Sequence, residues 1–247
     1  MSVGKGKIVR VCPSPALFSY YQSPEQVTVV VDILRATSAI AAALFHGARS
    51  VIPVASIEEA ETFRKKDFLV AAERGGAIVP GFQYGNSPLS YLDNPDIRGR
   101  DLVLSTTNGT QAIDIAKHHG PLVTGAFSNI SSLTTFLNEQ CPQDVLILCA
   151  GWKNRMNLED TMFAGALASR LLQHGYGLDT DADATLMALY LFEKAGENLD
   201  AFMANSSHRN RLQHLDLKAD IAWCMQEDTC PVIPFLEGQQ QLLPKFI

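Results

Sequence analysis

The sequence lacks the patterns by which several classes of protein are recognised. Its five cysteines are odd in number and include no C-x-x-C pair, which argues against a disulfide framework and against a cysteine zinc site. It has no basic run and a net charge of -6 at pH 7, so nucleic acid is not an expected partner. No stretch approaches the roughly 18 apolar residues of a membrane span, and no apolar signal core opens the chain. We therefore expect a protein of a reducing cytoplasm, without a membrane partner.

What the 247 residues do contain is ample material for a hydrophobic core, since 47% of them are hydrophobic and 19% are charged. Short β-branched runs alternate with helical patterns, an order that is typical of α/β proteins. We predict a three-layer α/β/α fold with a largely parallel or mixed central sheet, a more helical C-terminal third and a proline-rich end. The chain is expected to form a single domain over 1–247, with two lobes over 1–127 and 128–247 as the variant.

The predicted elements follow one another through short connections. The predicted strands are Ile8–Val11, Val27–Val31, Val51–Val54, Phe68–Ala72, Leu102–Thr106, Leu122–Ala126 and Val145–Ala150. The predicted helices are Ser38–Phe45, Ser56–Lys66, Gln111–His118, one from Ile130, Glu159–Gln173, Ala182–Lys194, Leu199–Ala204 and His208–His214.

The most informative stretch joins the buried strand Val27–Val31 to a buried helix through a charged turn. Asp32 and Arg35 lie in this turn, and two unpaired charges in such surroundings would cost several kcal/mol. One interpretation is an ion pair between them, with Thr37 or Ser38 capping the helix. The interpretation we prefer places Asp32 at the carboxyl end of a strand, where open α/β sheets bind their ligands.

Other strand ends carry polar residues as well. Glu73 and Arg74 follow one predicted strand, and the segment Thr107–Thr110 joins another strand to a helix. Free N–H groups at a helix N-terminus bind anions, although an ordinary N-cap with a glycine for a tight turn would explain the same segment. Glu159 and Asp160 open a further helix, where the helix dipole alone already favours carboxylates.

Together these turns combine oxygen ligands suited to magnesium with groups that bind anions. The carboxylates are Asp32, Glu73, Glu159 and Asp160, and the nearby cations are Arg35, Arg74 and Arg155. A hard cation beside an anion cradle indicates phosphate, and hence phosphoryl transfer or hydrolysis.

Two well-known phosphatase designs fit poorly. Haloacid-dehalogenase phosphatases need a D-x-D motif, and Leu34 stands at its second place. The segment Cys149 to Arg155 has the C-x5-R spacing of the cysteine phosphatases. However, Leu148 replaces their usual histidine, Met156 replaces the following Ser or Thr, and the strand would bury the thiol. The cysteine mechanism is therefore disfavoured.

Five motifs in this order and spacing resemble the magnesium-dependent 2-phosphosulfolactate phosphatases of coenzyme M biosynthesis. They are V-D-I-L-R-A-T-S, A-E-R-G-G, G-F-Q-Y-G-N-S-P, S-T-T-N-G-T-Q-A-I and N-L-E-D-T-M-F-A-G-A-L. The resemblance covers nearly the whole chain, more loosely in the last third through D-A-D-A-T and K-A-D-I-A-W-C. It implies an α/β fold and magnesium-dependent hydrolysis of (2R)-O-phospho-3-sulfolactate to sulfolactate and phosphate. The loop Trp152–Leu158 is longer and more basic than the family's glycine-rich turn. This difference bears on which substrate is bound more than on the reaction. The resemblance does not by itself assign the pathway.

The sequence and the resemblance together predict a site with three kinds of residue. The expected catalytic residues are Asp32, Arg35, Glu73 and Arg74, and the expected magnesium ligands are Asp32, Glu73, Glu159 and Asp160. The residues expected to bind phosphate or substrate are Asn86, Ser87, Thr107, Asn108, Gly109, Thr110 and Arg155. Lys153 and Arg155 are the basic pair expected to meet the other anionic groups of the substrate.

Some alternatives stay open from the sequence alone. The same site would serve a phosphatase for another phosphorylated hydroxy acid or a sugar phosphate. It would also serve a phosphometabolite-binding protein without turnover. Attack by water and formation of an aspartyl-phosphate on Asp32 are both compatible with the motifs. A homodimer is one possible assembly, which the sequence does not test.

Overall fold

A computed structural model describes residues 6–64, 68–196, 198–207 and 217–247. The strands are β1 Ile8–Cys12, β2 Gln26–Val31, β3 Ser50–Pro53, β4 Leu69–Arg74, β5 Ala77–Ile78, β6 Asp101–Ser105, β7 Leu122–Gly125, β8 Asp144–Cys149, β9 Gly177–Leu178, β10 Ile233–Glu237 and β11 Gln241–Lys245. The α-helices are α1 Ala36–Phe45, α2 Ile57–Phe63, α3 Gly109–Ala116, α4 Ile130–Gln140, α5 Leu158–Gln173, α6 Asp183–Ala195, α7 Leu199–Phe202 and α8 Lys218–Cys224. The predicted helix His208–His214 and the predicted helix end at Lys66 lie outside the described residues.

The described strands form one mixed sheet in the order β5-β4-β6-β3-β11-β10-β7-β2-β8-β1-β9. The block β4-β6-β3 and the block β7-β2-β8-β1-β9 are each parallel internally. The antiparallel hairpin β10-β11 joins the two blocks, and its outer pairings with β7 and β3 are antiparallel too. Three antiparallel pairings, β3-β11, β11-β10 and β10-β7, separate the two parallel blocks, and each reverses the strand direction. The strands of the two blocks therefore run in opposite directions. The predicted mixed sheet is confirmed.

Both faces of the sheet are covered, as the uncharged sequence of β2 predicts. Val29 and Val31 belong to one buried hydrophobic cluster, which includes residues of α4, α5 and α6. Val30 points to the other face and belongs to a second cluster, with residues of α1 and α3. Because successive side chains of a strand alternate between faces, this division shows a layer of helices on each side. The predicted three-layer α/β/α architecture is confirmed.

The proline-rich end forms the hairpin β10-β11, which the sequence did not predict. Prolines argue against central strands because they cannot donate a ladder hydrogen bond. Here Pro234 and Pro244 lie opposite each other in the hairpin. The ladder between the hairpin and each outer neighbour has one registered residue pair, Phe235 with Val123 and Leu242 with Val51. The prolines therefore fit at the junction of the two parallel blocks.

Candidate active site

The ends of four strands meet around one narrow cleft. Residues that follow β2 and β8 come from one parallel block, and residues that end β4 or follow β6 come from the other. The cleft has an interior of about 10 Å³, which is about the space that one water molecule needs. Its lining residues are Asp32, Leu34, Arg35, Glu73, Gly76, Asn86, Asn108 and Trp152. Five of the predicted site residues are therefore brought together here: Asp32, Arg35, Glu73, Asn86 and Asn108.

Asp32 lies against the first turn of α3. Its side chain is almost fully buried, and its oxygen Oδ2 would be 2.7 Å from a Cβ atom placed on Gly109. In the described part of the chain, the backbone N–H groups of Asn108 and Gly109 have no hydrogen-bond partner. The positive end of α3 thus faces the region of the Asp32 carboxylate, a setting that favours negative charge.

The predicted anion cradle Thr107–Thr110 is only partly free for a ligand. The N–H of Thr107 donates to Glu73 Oε2 at 3.2 Å, and the N–H of Thr110 donates to Thr106 Oγ1 at 3.1 Å. Thr110 Oγ1 in turn donates to the carbonyl of Thr106, so this side chain stabilises the turn itself. Asn108 and Gly109 are therefore the part of the cradle whose N–H groups can meet an anion.

Glu73 is fixed by a set of donors around its carboxylate. Oε1 accepts from the N–H of Gly76 at 2.5 Å, and Oε2 accepts from the N–H of Thr107 at 3.2 Å. Asn86 Nδ2 lies 3.5 Å from Oε2, and in the described structure its amide oxygen Oδ1 is buried without a hydrogen-bond partner. An amide oxygen left in this way, in a cleft that two carboxylates also line, is a ready ligand for a cation.

Arg35 forms its ion pair with a residue far along the chain. Its Nη1 donates to Asp220 Oδ1 at 2.9 Å, and its Nη2 donates to the carbonyl of Gly76 at 2.7 Å. The ion pair shown for Arg35 is therefore with Asp220, and a pair with Asp32 stays an alternative interpretation. The predicted helix cap is wrong, because Arg35 itself is the N-cap residue of α1 and makes no side-chain capping bond. Thr37 Oγ1 instead binds the backbone of Asp32, accepting from its N–H and donating to its carbonyl.

Arg74 and Ser87 lie beside the narrow cleft rather than in its lining. Arg74 donates to the carbonyl of Glu73 at 2.6 Å and to Ser105 Oγ at 3.0 Å, so it braces the end of β4. Ser87 lines an adjoining pocket of about 330 Å³, which shares Arg35, Gly76 and Asn86 with the cleft. The other residues of this pocket are Ala77, Ile78, Leu217 and Asp220.

Asp160 binds the two loops that follow β2 and β8. Oδ1 accepts from the N–H of Ile33 at 2.8 Å, and Oδ2 accepts from the N–H of Gly151 and from Asn157 Nδ2, both at 2.9 Å. Burial raises the pKa of Asp160 to about 8, and the neighbouring Glu159 adds to the rise. Glu159 is also fully buried. Within the described ranges, no group of three or more His, Cys, Asp and Glu residues could hold a metal ion. The four predicted carboxylates therefore do not form one cluster, and the role of Glu159 and Asp160 as ligands stays a prediction.

The loop before α5 is a tight turn. Trp152 and Arg155 exchange two backbone hydrogen bonds of 2.8 and 3.0 Å, and Lys153 and Asn154 between them have positive φ angles of 49° and 61°. The N–H of Lys153 donates to Asn108 Oδ1 at 3.0 Å, which anchors the turn to the start of α3. Trp152 therefore lines the cleft, whereas Arg155 is exposed outside its lining.

The geometry argues against the cysteine mechanism. Cys149 is fully buried, and that burial raises the pKa of its thiol well above the usual value. Arg155, which would have to lie with the thiol around a phosphate, is exposed on the turn. The C-x5-R spacing therefore does not build a phosphate loop here.

Asp220 and Trp152 are cleft or pocket residues that the sequence did not identify as part of the site. Asp220 lies within the loosely matching motif K-A-D-I-A-W-C, and no local pattern connects it with Arg35, 185 residues away. Trp152 belongs to the loop in which this sequence differs from its resembling family. The sequence signal for Asp220 was thus a weak motif, and the signal for Trp152 was a loop that differs from the family's usual one.

Comparisons with known proteins agree with these motifs. A family model described as 2-phosphosulpholactate phosphatase matches residues 12–239. A protein of Thermotoga petrophila named probable 2-phosphosulfolactate phosphatase is 38% identical over 218 residues, which cover 88% of this chain and 92% of the relative. Proteins with the same name from Gloeothece citriformis and Caldanaerobacter subterraneus are 38% and 34% identical, over 83% and 87% of this chain and 87% and 89% of their own lengths.

Proposed function

Because this chain belongs to the 2-phosphosulpholactate phosphatase family, we propose that it hydrolyses (2R)-O-phospho-3-sulfolactate to (2R)-3-sulfolactate and phosphate with the help of magnesium. The reaction class follows from the family: the protein is a phosphatase, that is, a phosphoric monoester hydrolase. The observation that carries the proposal is the narrow cleft in which Asp32, Glu73 and Arg35 meet the start of α3. Carboxylates for a cation and donors for an anion are there side by side.

The residues of the cleft fit a magnesium ion. Magnesium in phosphate sites commonly uses one or two carboxylates and keeps places for water and phosphate oxygens. Asp32 and Glu73 supply the carboxylates, and the buried Oδ1 of Asn86 supplies a further oxygen. These three residues would hold the ion. When bound, magnesium supplies charge stabilisation to the phosphoryl oxygens.

The phosphate itself is bound by cationic and dipolar groups of the chain. Two N–H groups of Arg35 donate to Asp220 and Gly76, so the rest of its five can face the cleft. The N–H groups of Asn108 and Gly109 add the positive end of α3. Asp32, beside these groups, either attacks phosphorus or orients and deprotonates the attacking water. The stereochemical course at phosphorus, followed with an isotopically chiral phosphate ester, separates these two roles. Direct attack by water inverts the configuration, whereas an aspartyl-phosphate intermediate requires two displacements and retains it.

The rest of the substrate extends from the cleft into the adjoining pocket or toward the turn. At about 330 Å³ this pocket is at the lower end of the range for small-molecule sites. Lys153 and Arg155, exposed on the anchored turn, are the cations we assign to the carboxylate or sulfonate group, because a guanidinium offers a planar fork to such anions.

The remaining expectations concern the surroundings of the enzyme. No helix in the described ranges has the length and apolar character to cross a membrane. All five cysteines are free thiols, which supports our proposal of a cytoplasmic location. We further propose a small anionic phosphoester as the partner, no nucleic acid, and a homodimer as the assembly to test by light scattering. A place in coenzyme M biosynthesis is part of this proposal.

A substrate panel tests the proposed function. We expect phosphate release from phosphosulfolactate to exceed release from phosphorylated hydroxy acids and sugar phosphates. It should disappear in EDTA and return with magnesium, because the two carboxylates that line the cleft, Asp32 and Glu73, would otherwise repel a phosphate dianion. Full activity in chelator would overturn the metal assignment. Faster phosphate release from a sugar phosphate than from phosphosulfolactate would overturn the proposed substrate. If the protein binds phosphate esters but hydrolyses none of them, it is a phosphometabolite-binding protein and not a phosphatase.

A further inference from the structure

The ion pair between Arg35 and Asp220 is buried beside the proposed phosphate site. The atoms Nη1 and Oδ1 are 2.9 Å apart, and the two side chains are only 4% and 10% exposed. A pair so far from solvent is weakly screened, so its attraction is much stronger than that of a surface ion pair. The pair also joins α8 to the turn after β2, across 185 residues of sequence.

Arg35 has a second fixed partner, which determines the plane of its guanidinium group. Nη2 donates to the carbonyl of Gly76 at 2.7 Å, and the N–H of Gly76 donates to Glu73 Oε1 at 2.5 Å. Two different nitrogens are thus held from two chain segments. The resulting chain of hydrogen bonds leads from Asp220 through Arg35 and Gly76 to a proposed ligand of magnesium.

We propose that Asp220 is a positioning residue, which orients Arg35 for the phosphate group of the substrate. This inference rests on the proposed function of the cleft. Asp220 is absent from the lining of the narrow cleft and present in that of the adjoining pocket, so its effect on the phosphate passes through Arg35. Without the carboxylate, the guanidinium keeps one fixed partner and samples more orientations, which weakens a geometry that catalysis needs.

The chain contains a matched control pair at the amino-terminal end of β8, whereas the cleft lies beyond the carboxyl ends of β2 and β8. Asp144 opens β8 and accepts from Arg10 Nη2 at 2.6 Å, with side chains 8% and 12% exposed. We expect Asp220→Asn to lower kcat/KM at least about tenfold while the protein stays folded. Asp144→Asn, which removes a comparable buried charge, should leave kcat/KM within about twofold. Equal loss in both variants would overturn the proposal, because it would mean a general effect of losing an ion pair.

A double-mutant cycle distinguishes action through Arg35 from any other role. In an Arg35→Gln background, Asp220→Asn should add less than about twofold to the loss of kcat/KM, because the group that it orients is already gone. Full multiplication of the two single losses would overturn the proposal, since it would show that Asp220 acts independently.

Two readouts do not depend on turnover. The ¹⁵N–¹H signal of Arg35 Nε, assigned by its disappearance in Arg35→Gln, should shift and broaden in Asp220→Asn and stay unchanged in Asp144→Asn. Affinity for inorganic phosphate with magnesium, measured by calorimetry, should fall at least about fivefold in Asp220→Asn. If the wild type hydrolyses no phosphoester yet shows both effects, the proposed function fails and the positioning role stands. An unchanged Arg35 signal together with unchanged phosphate affinity would overturn the positioning role, whatever the wild-type activity.

Discussion

Gly109 approaches Asp32 so closely that a methyl group on the glycine would lie 2.7 Å from the carboxylate oxygen Oδ2. The same methyl would be 2.5 Å from the Cβ of Ala36. Gly109 does not have a positive φ angle, so the backbone conformation does not require glycine at this position. The close approach requires glycine, because it brings the first turn of α3 to the Asp32 carboxylate of the cleft. The close approach, rather than a left-handed backbone, therefore explains the glycine at this position.

We expect Gly109→Ala to separate α3 from Asp32. The clash falls on a carboxylate and on the buried start of α1, and neither can move far, so overpacking should cost about 1–3 kcal/mol of unfolding free energy. The kcat/KM of the folded fraction should fall at least about tenfold, because a small displacement in a catalytic site is costly. Thermal unfolding and phosphate release measure the two effects.

Gly177→Ala is the matched control, since the nearest atom to its added Cβ lies 3.7 Å away. This variant should keep both stability and activity. Wild-type activity in Gly109→Ala would contradict the assigned contact between the start of α3 and the reacting groups.

The sequence predicted the half of the cleft that depends on local chemistry. Asp32 and Glu73 follow runs of buried strand residues, and a carboxylate directly after such a run has few structural uses. The start of α3 was predicted because free N–H groups at a helix N-terminus bind anions. Alternation of strands and helices was enough for the three layers, because each apolar face needs a covering layer.

The rest depends on contacts between distant segments, for which a single sequence carries little signal. The partner of Arg35 is in α8, whereas its nearest acidic residue in sequence is Asp32. The prolines of β10 and β11 concealed a hairpin that lies within the sheet. Asp160 has the sequence position of a helix-dipole carboxylate, yet its oxygens bind the backbone of two other loops.

Arg155→Ala tests the assignment of the turn to the tail of the substrate. KM for phosphosulfolactate should rise at least about tenfold, a loss of about 1.4 kcal/mol, while hydrolysis of a neutral-tailed aryl phosphate changes little. Because Arg155 is exposed, the effect should shrink as salt screens it. Equal loss on both substrates would assign Arg155 to the phosphate, and no loss on either would make it a surface residue.

The thiol of Cys149 should be chemically silent. Burial raises its pKa, so at neutral pH it stays protonated and is neither a nucleophile nor a good target for alkylation. Native protein treated with iodoacetamide should carry one adduct, on the exposed Cys141, and keep its activity. Cys149→Ser should retain most turnover. A loss of about three orders of magnitude in kcat with an unchanged fold would instead support a thiolate mechanism.

The central claim is that the cleft around Asp32 carries out phosphate hydrolysis, and the most direct test is kcat of Asp32→Asn with saturating magnesium and phosphosulfolactate. The amide keeps the shape of the side chain but loses the charge, so kcat should fall by about 10³ or more while the unfolding temperature changes little. Asp144→Asn, at the amino-terminal end of β8, is the control and should retain its turnover. An Asp32→Asn protein that unfolds readily but keeps wild-type specific activity in its folded fraction would contradict the account.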